Sequence, residues 1–481
     1  MMKFIGKYKS FPVQMKAAFW FLICSFLQKG ISVLTTPIFT RLMTTAEYGQ
    51  YNVFTSWMGI LSIFVTLQLC GGVYAQGIVK FENDRDKFSS SFQGLTFTLV
   101  IIWTVIYVLF HDFWNTLFSL TTSQMLAMLI MMWTSSVFGL WSTEQRVRYN
   151  YKTLVILTII VSLIKPLLGI FLVLHSEDKV LVRILGLALV ELVAYTGLFV
   201  AQMKRGRCFF SKKYWRYALS FNIPLIPHYL SQMVLSSADR IMITDLVGDS
   251  EVGIYSLAYS IALIMTLFNT ALMNTITPWL YQKIRDKEME RIGNISYITL
   301  ILIAGINIVL IAFAPEAVML FAPIEYYDAI WVIPPVAMSV FFMYAYDLFA
   351  KFQFYFEKSH YIAIASILGA ILNVVLNYMF IPILGYYAAG YTTLFCYIAY
   401  VIAHYFFMKK TCKENLDDIR VFDTKIIIII SLLFLFIGFV FMFTYRNVLI
   451  RYFFMGILLI GIICKRSFVI DRIKKLIDIK K

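Results

Sequence analysis

The sequence predicts an all-α polytopic membrane protein, and three observations predict it. Hydrophobic residues make up 60% of the 481 and charged residues only 14%, against roughly 25% charged in soluble domains. Mean hydropathy is +0.77. Apolar runs of about 20 residues, long enough to cross a bilayer, recur along the whole chain. The 42 basic residues outnumber the 27 acidic ones, but they sit in short clusters between apolar runs. That distribution marks membrane topology and not a nucleic-acid groove.

About 14 spans are expected: residues 17–40, 51–76, 89–110, 122–142, 153–174, 181–202, 219–247, 252–281, 292–314, 329–349, 361–381, 388–408, 424–444 and 448–464. Each is apolar on most faces, as a helix in lipid must be. Alternate loops collect the basic residues, for example Arg146/Arg148/Lys152, Lys204/Arg205/Arg207/Lys212/Lys213/Arg216 and Lys409/Lys410/Lys413. The other loops hold mainly acids, including Asp112, Glu177, Asp178, Asp249, Glu325 and Asp328. About 34 basic residues fall on the first side and about 5 on the second. The positive-inside rule then puts both termini in the cytoplasm of a bacterial-type inner membrane.

The first basic stretch (Lys3, Lys7, Lys9, Lys16) leads directly into a full-length span. No cleavable signal is expected there. The six cysteines show no paired spacing, so neither disulfides nor a metal site are expected.

An internal repeat sets the domain organisation. LMTTAEYGQY (42–51) and LVGDSEVGIY (246–255) share L-x4-E-x-G-x-Y. Both join an odd span to an even one on the outer side, six spans apart. This predicts two six-helix bundles related by a pseudo-two-fold axis along the membrane normal. The expected division is 1–203 for the first bundle, 204–216 for a basic linker and 217–410 for the second bundle. Residues 411–464 form two peripheral helices, read as a lipid-facing addition because IIIIISLLFLFIGFVFMF (426–443) has no polar residue beyond Ser431. Residues 465–481 form a basic amphipathic tail suited to an anionic inner leaflet.

No catalytic motif is present: no Gly-rich phosphate loop, no metal-ligand spacing, and no Ser/His/Asp set that topology would assemble. Loops of about 20 residues or fewer give a glycosyltransferase or polymerase little room for an acceptor. The informative residues are charges at membrane depth, each costing about 2.5–3.5 kcal/mol at a helix centre. They are Lys29, Lys165, Glu191, Asp239, Arg240 and Asp347. Each has a plainer reading. Lys29 could bridge to Glu191, Lys165 could decorate a kink at Pro166, and Asp347 could pair with Lys351 at i,i+4. Asp239 and Arg240 are neighbours, about 100° apart on a helix, so each needs its own partner or water. Arg41 reads as an outer-edge anchor. Pro37, Pro166, Pro224, Pro227, Pro334 and Pro335 interrupt the same spans and are expected to let them bend.

Two segments carry a family resemblance. SFNIPLIPHYLSQMVLSSADRIMITDLVGDSEVGIYSLAYSIA (220–262) has P-x-x-P before ADR and G-x-Y after it. KGISVLTTPIFTRLMTTAEYGQY (29–51) has a P-x-x-T-R-L exit. Both resemble the polysaccharide-biosynthesis flippases, Wzx-type members of the multidrug/oligosaccharidyl-lipid/polysaccharide exporter superfamily, and the resemblance covers essentially the whole length. It implies a transporter and not an enzyme, without a cofactor. Such a transporter moves undecaprenyl-pyrophosphate-linked repeat units to the outer leaflet for O-antigen, capsule or exopolysaccharide. The partners it implies are membrane lipids, the polysaccharide polymerase and the chain-length machinery. A pyrophosphate crossing a low-dielectric region needs cations, which makes Lys29, Lys165 and Arg240 the expected substrate-binding residues. Glu191, Asp239 and Asp347 are then coupling-ion or structural partners. A multidrug or lipid-precursor exporter of the same fold is the alternative, and a membrane-embedded glycosyltransferase or polymerase is the alternative of another class.

Overall fold

The computed structural model describes residues 12–416 and 421–464. The expected tail (465–481) and Lys3, Lys7 and Lys9 lie outside the described residues. Among those described, helices follow one another with no strand, and eleven are long and apolar enough to cross a membrane. The chain is a multi-pass membrane protein. It divides into two compact units, residues 1–233 and 234–481.

The first unit contains α1 (Val13–Leu42), α2 (Thr45–Thr66), α3 (Gly72–Lys80), α4 (Arg85–Leu109), α5 (His111–Phe118), α6 (Thr122–Val147), α7 (Tyr151–Leu174), α8 (Lys179–Gly206) and α9 (Lys212–Asn222). The next helix, α10 (Ile226–Leu246), starts in this unit and ends in the second. The span expected over 51–76 is broken. Leu67 and Gln68 both take φ of 50°, a left-handed conformation that costs a non-glycine residue roughly 1–2 kcal/mol, and α3 restarts after Gly71. Hydropathy alone does not register such a break, because both pieces are apolar. The α3–α4 region and α9 share a core of Val73, Tyr74, Ile78, Phe88, Phe92, Tyr214 and Ala218. The indole N–H of Trp215 donates to the Ser91 carbonyl at 3.0 Å and pins α9 to α4.

The second unit continues with α11 (Asp249–Leu263), α12 (Thr266–Arg285), α13 (Met289–Ala312), α14 (Ala314–Phe321), α15 (Ile333–Tyr355), α16 (Ser359–Leu384), α17 (Tyr387–Asn415), α18 (Thr424–Thr444) and α19 (Val448–Cys464). The span expected over 252–281 is also two helices. Between them the N–H groups of Ile264, Met265, Leu267 and Phe268 bond three residues back, the tightened 3₁₀ pattern that bends a helix.

Two expectations need correction. Pro224 and Pro227 lie at the 3₁₀ junction leading into α10, and Pro334 and Pro335 open α15. These four start helices, where a missing N–H costs little. Pro37 and Pro166 do sit inside helices. The peripheral helices are not simply a lipid-facing addition either. Ile427, Phe434, Gly438 and Phe441 form a buried stripe on α18, and the Phe434 ring lies 4.5 Å from that of Phe341 on α15. Arg451 of α19, fully buried, pairs with Glu316 of α14.

Candidate functional site

In the first unit, α1, α2, α7 and α8 enclose a cavity of about 290 Å³. Helical periodicity builds its walls. Gln28, Ser32, Thr35 and Phe39 follow one face of α1, and Ser162, Lys165, Pro166 and Gly169 follow one face of α7. Pro166 has no N–H to donate to the Ser162 carbonyl, so that acceptor is freed beside Lys165.

Two cations line this cavity, Lys165 and Arg183. Lys165 Nζ lies 2.6 Å from Glu191 Oε1. The other oxygen of Glu191 accepts from Thr134 Oγ1 at 2.8 Å and from Ser135 Oγ at 3.1 Å. Glu191 is therefore satisfied, while Lys165 stays about a quarter exposed, with its side chain at 26%. Arg183 packs against two rings, its guanidinium carbon 3.7 Å from the Phe39 centroid and 3.6 Å from the Tyr51 centroid. Only 9% of the residue is exposed. Contact with the rings leaves the in-plane N–H groups as the donors of the guanidinium. One of them reaches Met43 Sδ at 3.3 Å.

The bridge from Lys29 to Glu191 is not the one formed, since Lys165 takes that carboxylate. Lys29 is exposed on α1, about 100° round from the lining stripe. Arg183 went unassigned in the sequence because it lies close to a helix end, where an edge anchor is the ordinary reading.

In the second unit the charged centre is Asp239 on α10, 1% exposed. It accepts from Tyr255 Oη at 2.6 Å, Asn377 Nδ2 at 2.6 Å and Thr393 Oγ1 at 3.0 Å. Asn377 in turn accepts from Thr392 and donates to Asn373 Oδ1. Four helices, α10, α11, α16 and α17, thus converge on one carboxylate through oxygen-rich side chains. Arg240 points elsewhere. Its guanidinium lies 4.6 Å from the Tyr259 ring centroid, its Nη1 donates to the Ser236 carbonyl at 3.1 Å, and its buried Nε has no hydrogen-bond partner among the described residues. Asp347 pairs with Lys351 at 2.8 Å, one helical turn away.

The repeat residues take part in both sites. Tyr51 stacks on Arg183 in the first unit, and Tyr255 bonds Asp239 in the second. Glu47 closes a capping box with Thr44 at the start of α2. Its counterpart Glu251 follows Gly248, whose φ of 150° favours glycine. A further buried acid escaped the sequence reading. Glu144, fully buried, bonds Arg148 at 2.9 Å, Arg205 at 3.1 Å and Gln202, tying the ends of α6 and α8 together.

Comparison with known proteins places the chain in a family. A MatE family model matches residues 224–379. Two curated relatives come from Haemophilus influenzae. "Lsg locus putative protein 1" is 26% identical over 216 residues, 42% of this chain and 52% of that protein. An "uncharacterized membrane protein" is 23% identical over 210 residues, 41% of this chain and 49% of its own length. The chain therefore spans about half the length of the curated relatives it matches. Among solved structures it is similar to the lipid II flippase MurJ in an inward closed conformation, with a TM-score of 0.68, 15% identity and coverage of 93% of this chain and 99% of that one. It is also similar to an inward-facing multidrug resistance MATE transporter, with a TM-score of 0.59, 13% identity and coverage of 80% and 96%. These likenesses show the fold. A polysaccharide biosynthesis protein model matches residues 15–284, more than half the chain, and so the protein belongs to the polysaccharide biosynthesis protein family.

Proposed function

We propose that the chain is a flippase for an oligosaccharide repeat unit linked to undecaprenyl pyrophosphate, moving it from the inner to the outer leaflet of a bacterial cytoplasmic membrane for O-antigen, capsule or exopolysaccharide. The observation that carries this reading is the cavity whose lining brings Lys165 and Arg183 together with the hydroxyls of Ser32, Thr35 and Ser162. A cation taken out of water costs several kcal/mol unless it is paired. Two cations on the wall of one cavity offer charge-assisted hydrogen bonds to the oxygens of a pyrophosphate. Arg183 is the principal contact, because its planar donors meet phosphate oxygens in a bidentate way. Lys165 adds a point charge. The hydroxyls of Ser32, Thr35 and Ser162 offer donors to further phosphate or sugar oxygens. Lys29 and Arg240 enter as additional cations along the substrate's route.

Transport against a gradient needs a coupled ion, and Asp239 is the group for it. Its neighbours are hydroxyl and amide side chains, which turn to present oxygen to a small cation or yield as the acid takes a proton. The experiment is complementation. In a strain lacking its own copy, Lys165→Ala and Arg183→Ala proteins should reach the membrane at normal levels yet restore little surface glycan. Full export by the double variant would remove the cationic cavity from the mechanism.

A further inference from the structure

The segment joining α8 to α10, within the first unit, carries a feature not used in the proposed site. α9 follows the end of α8 at Gly206 and precedes α10 at Ile226. Its 11 residues span about 16 Å, so it stays close to the membrane face from which both neighbouring spans leave. An open groove of about 600 Å³ runs along it. Trp215, Leu219, Ile223 and Pro224 line this groove, and the Phe210 ring packs edge-on to Trp215 with centroids 4.8 Å apart. Phe210 is 62% exposed and Ile223 51% exposed, which is unusual for large apolar groups in water and ordinary at a lipid boundary.

At the groove's mouth stand Lys212 and Arg216, spaced i,i+4 on one face of α9. Like charges at that spacing repel. Lys212 and Lys213 also occupy the first turn, where the helix dipole disfavours cations, and no acid shares that turn. Lys213 rests against the Phe81 ring, 4.9 Å from its centroid. Lys212 and Arg216 have no ion pair among the described residues. Arg207, also exposed, adds a further positive charge nearby. The groove therefore joins an apolar trough to a cationic rim, the complement of a lipid with an acidic headgroup and aliphatic chains.

We propose that this groove binds an anionic phospholipid of the surrounding bilayer, with the headgroup phosphate between Lys212 and Arg216 and an acyl chain along Trp215, Leu219 and Ile223. Trp215 is pinned to α4 through Ser91, so the lipid would brace α9 against α4. This binding is independent of the transported substrate.

The test uses purified full-length protein and native mass spectrometry with phosphatidylglycerol or phosphatidylcholine as probe. Wild type should retain phosphatidylglycerol preferentially. A cation beside an anionic lipid is worth roughly a fivefold change in affinity, so Lys212→Gln/Arg216→Gln should bind it about 25-fold more weakly. Both side chains are exposed, and an unchanged melting temperature without lipid shows that the variant is folded. Ile223→Ser, which leaves the charges in place, should weaken retention to a smaller extent. Equal retention of the two lipids by wild type, or unaltered binding by the double variant, would overturn the proposal. So would displacement of phosphatidylglycerol by farnesyl diphosphate, since that would assign the groove to the polyprenyl substrate.

Discussion

At the scale of single residues, Arg183 and Lys165 do different work. Arg183 is fixed by two rings and remains charged at any working pH, so its geometry is set before a ligand arrives. Arg183→Lys keeps the charge and loses both the stacked plane and the fork. Surface-glycan export, measured against wild type at equal protein level, should fall about tenfold with lysine and further with alanine. Glu191 holds Lys165 in place. Glu191→Gln leaves Lys165 without its counter-charge and should lower folding stability by about 1–3 kcal/mol, read as a lower midpoint of thermal unfolding. In the second unit, Asp239→Asn preserves shape but removes the carboxyl group that its cluster of hydroxyls and amides surrounds. The variant should insert and fold yet lose export driven by an ion gradient. Comparing sodium and proton gradients in the wild type identifies the ion, and full activity of the variant under both would remove Asp239 from coupling.

At the scale of elements, the sequence showed what repeats and concealed what is local. Long apolar runs located the helices because a membrane span needs uninterrupted hydrophobicity. Lys165, Glu191, Asp239 and Arg240 stood out because a charge amid such a run is costly. The break after Thr66 did not stand out, since Leu67 and Gln68 carry no glycine or proline signal for their left-handed turn. Asn373, Asn377 and Thr393 were equally silent. They are neutral, moderately polar residues, and only their convergence on Asp239 gives them a role. Close helix contacts are another local feature. A Cβ at Gly94 would lie 2.1 Å from the backbone carbonyl oxygen of Phe209, and a backbone atom cannot rotate away. Gly94→Ala should push the 206–211 segment off α4 and cost about 1–3 kcal/mol. Limited proteolysis of that segment checks this, and cleavage no faster than in wild type would contradict it.

At the scale of the whole molecule, the order of elements extends the repeat well past its sequence motif. In each half a long helix is followed by a broken one, α2 with α3 and α11 with α12. Then comes a span that ends in an eight-residue helix, α4 with α5 and α13 with α14. Spans 2 and 8 are thus both broken, and spans 3 and 9 both carry the short helix, six spans apart. An even number of crossings between copies puts matching elements on the same side of the membrane. The topology expected from the repeat would put the α1–α2 turn at Met43–Thr44 and the α10–α11 turn at Val247–Gly248 on one face of the membrane, opposite the basic linker. Charge supports one assignment of those faces. The linker carries Lys204, Arg205, Arg207, Lys212, Lys213 and Arg216, and the positive-inside rule would put it in the cytoplasm. In a background where the native cysteines are replaced, a cysteine at Ser250 should react with a membrane-impermeant maleimide added to intact cells. One at Lys212 should react only after the membrane is opened. The opposite pattern would reverse the orientation and, with it, the direction of the proposed transport, because a site loaded from the cytoplasm requires the basic linker to face that side.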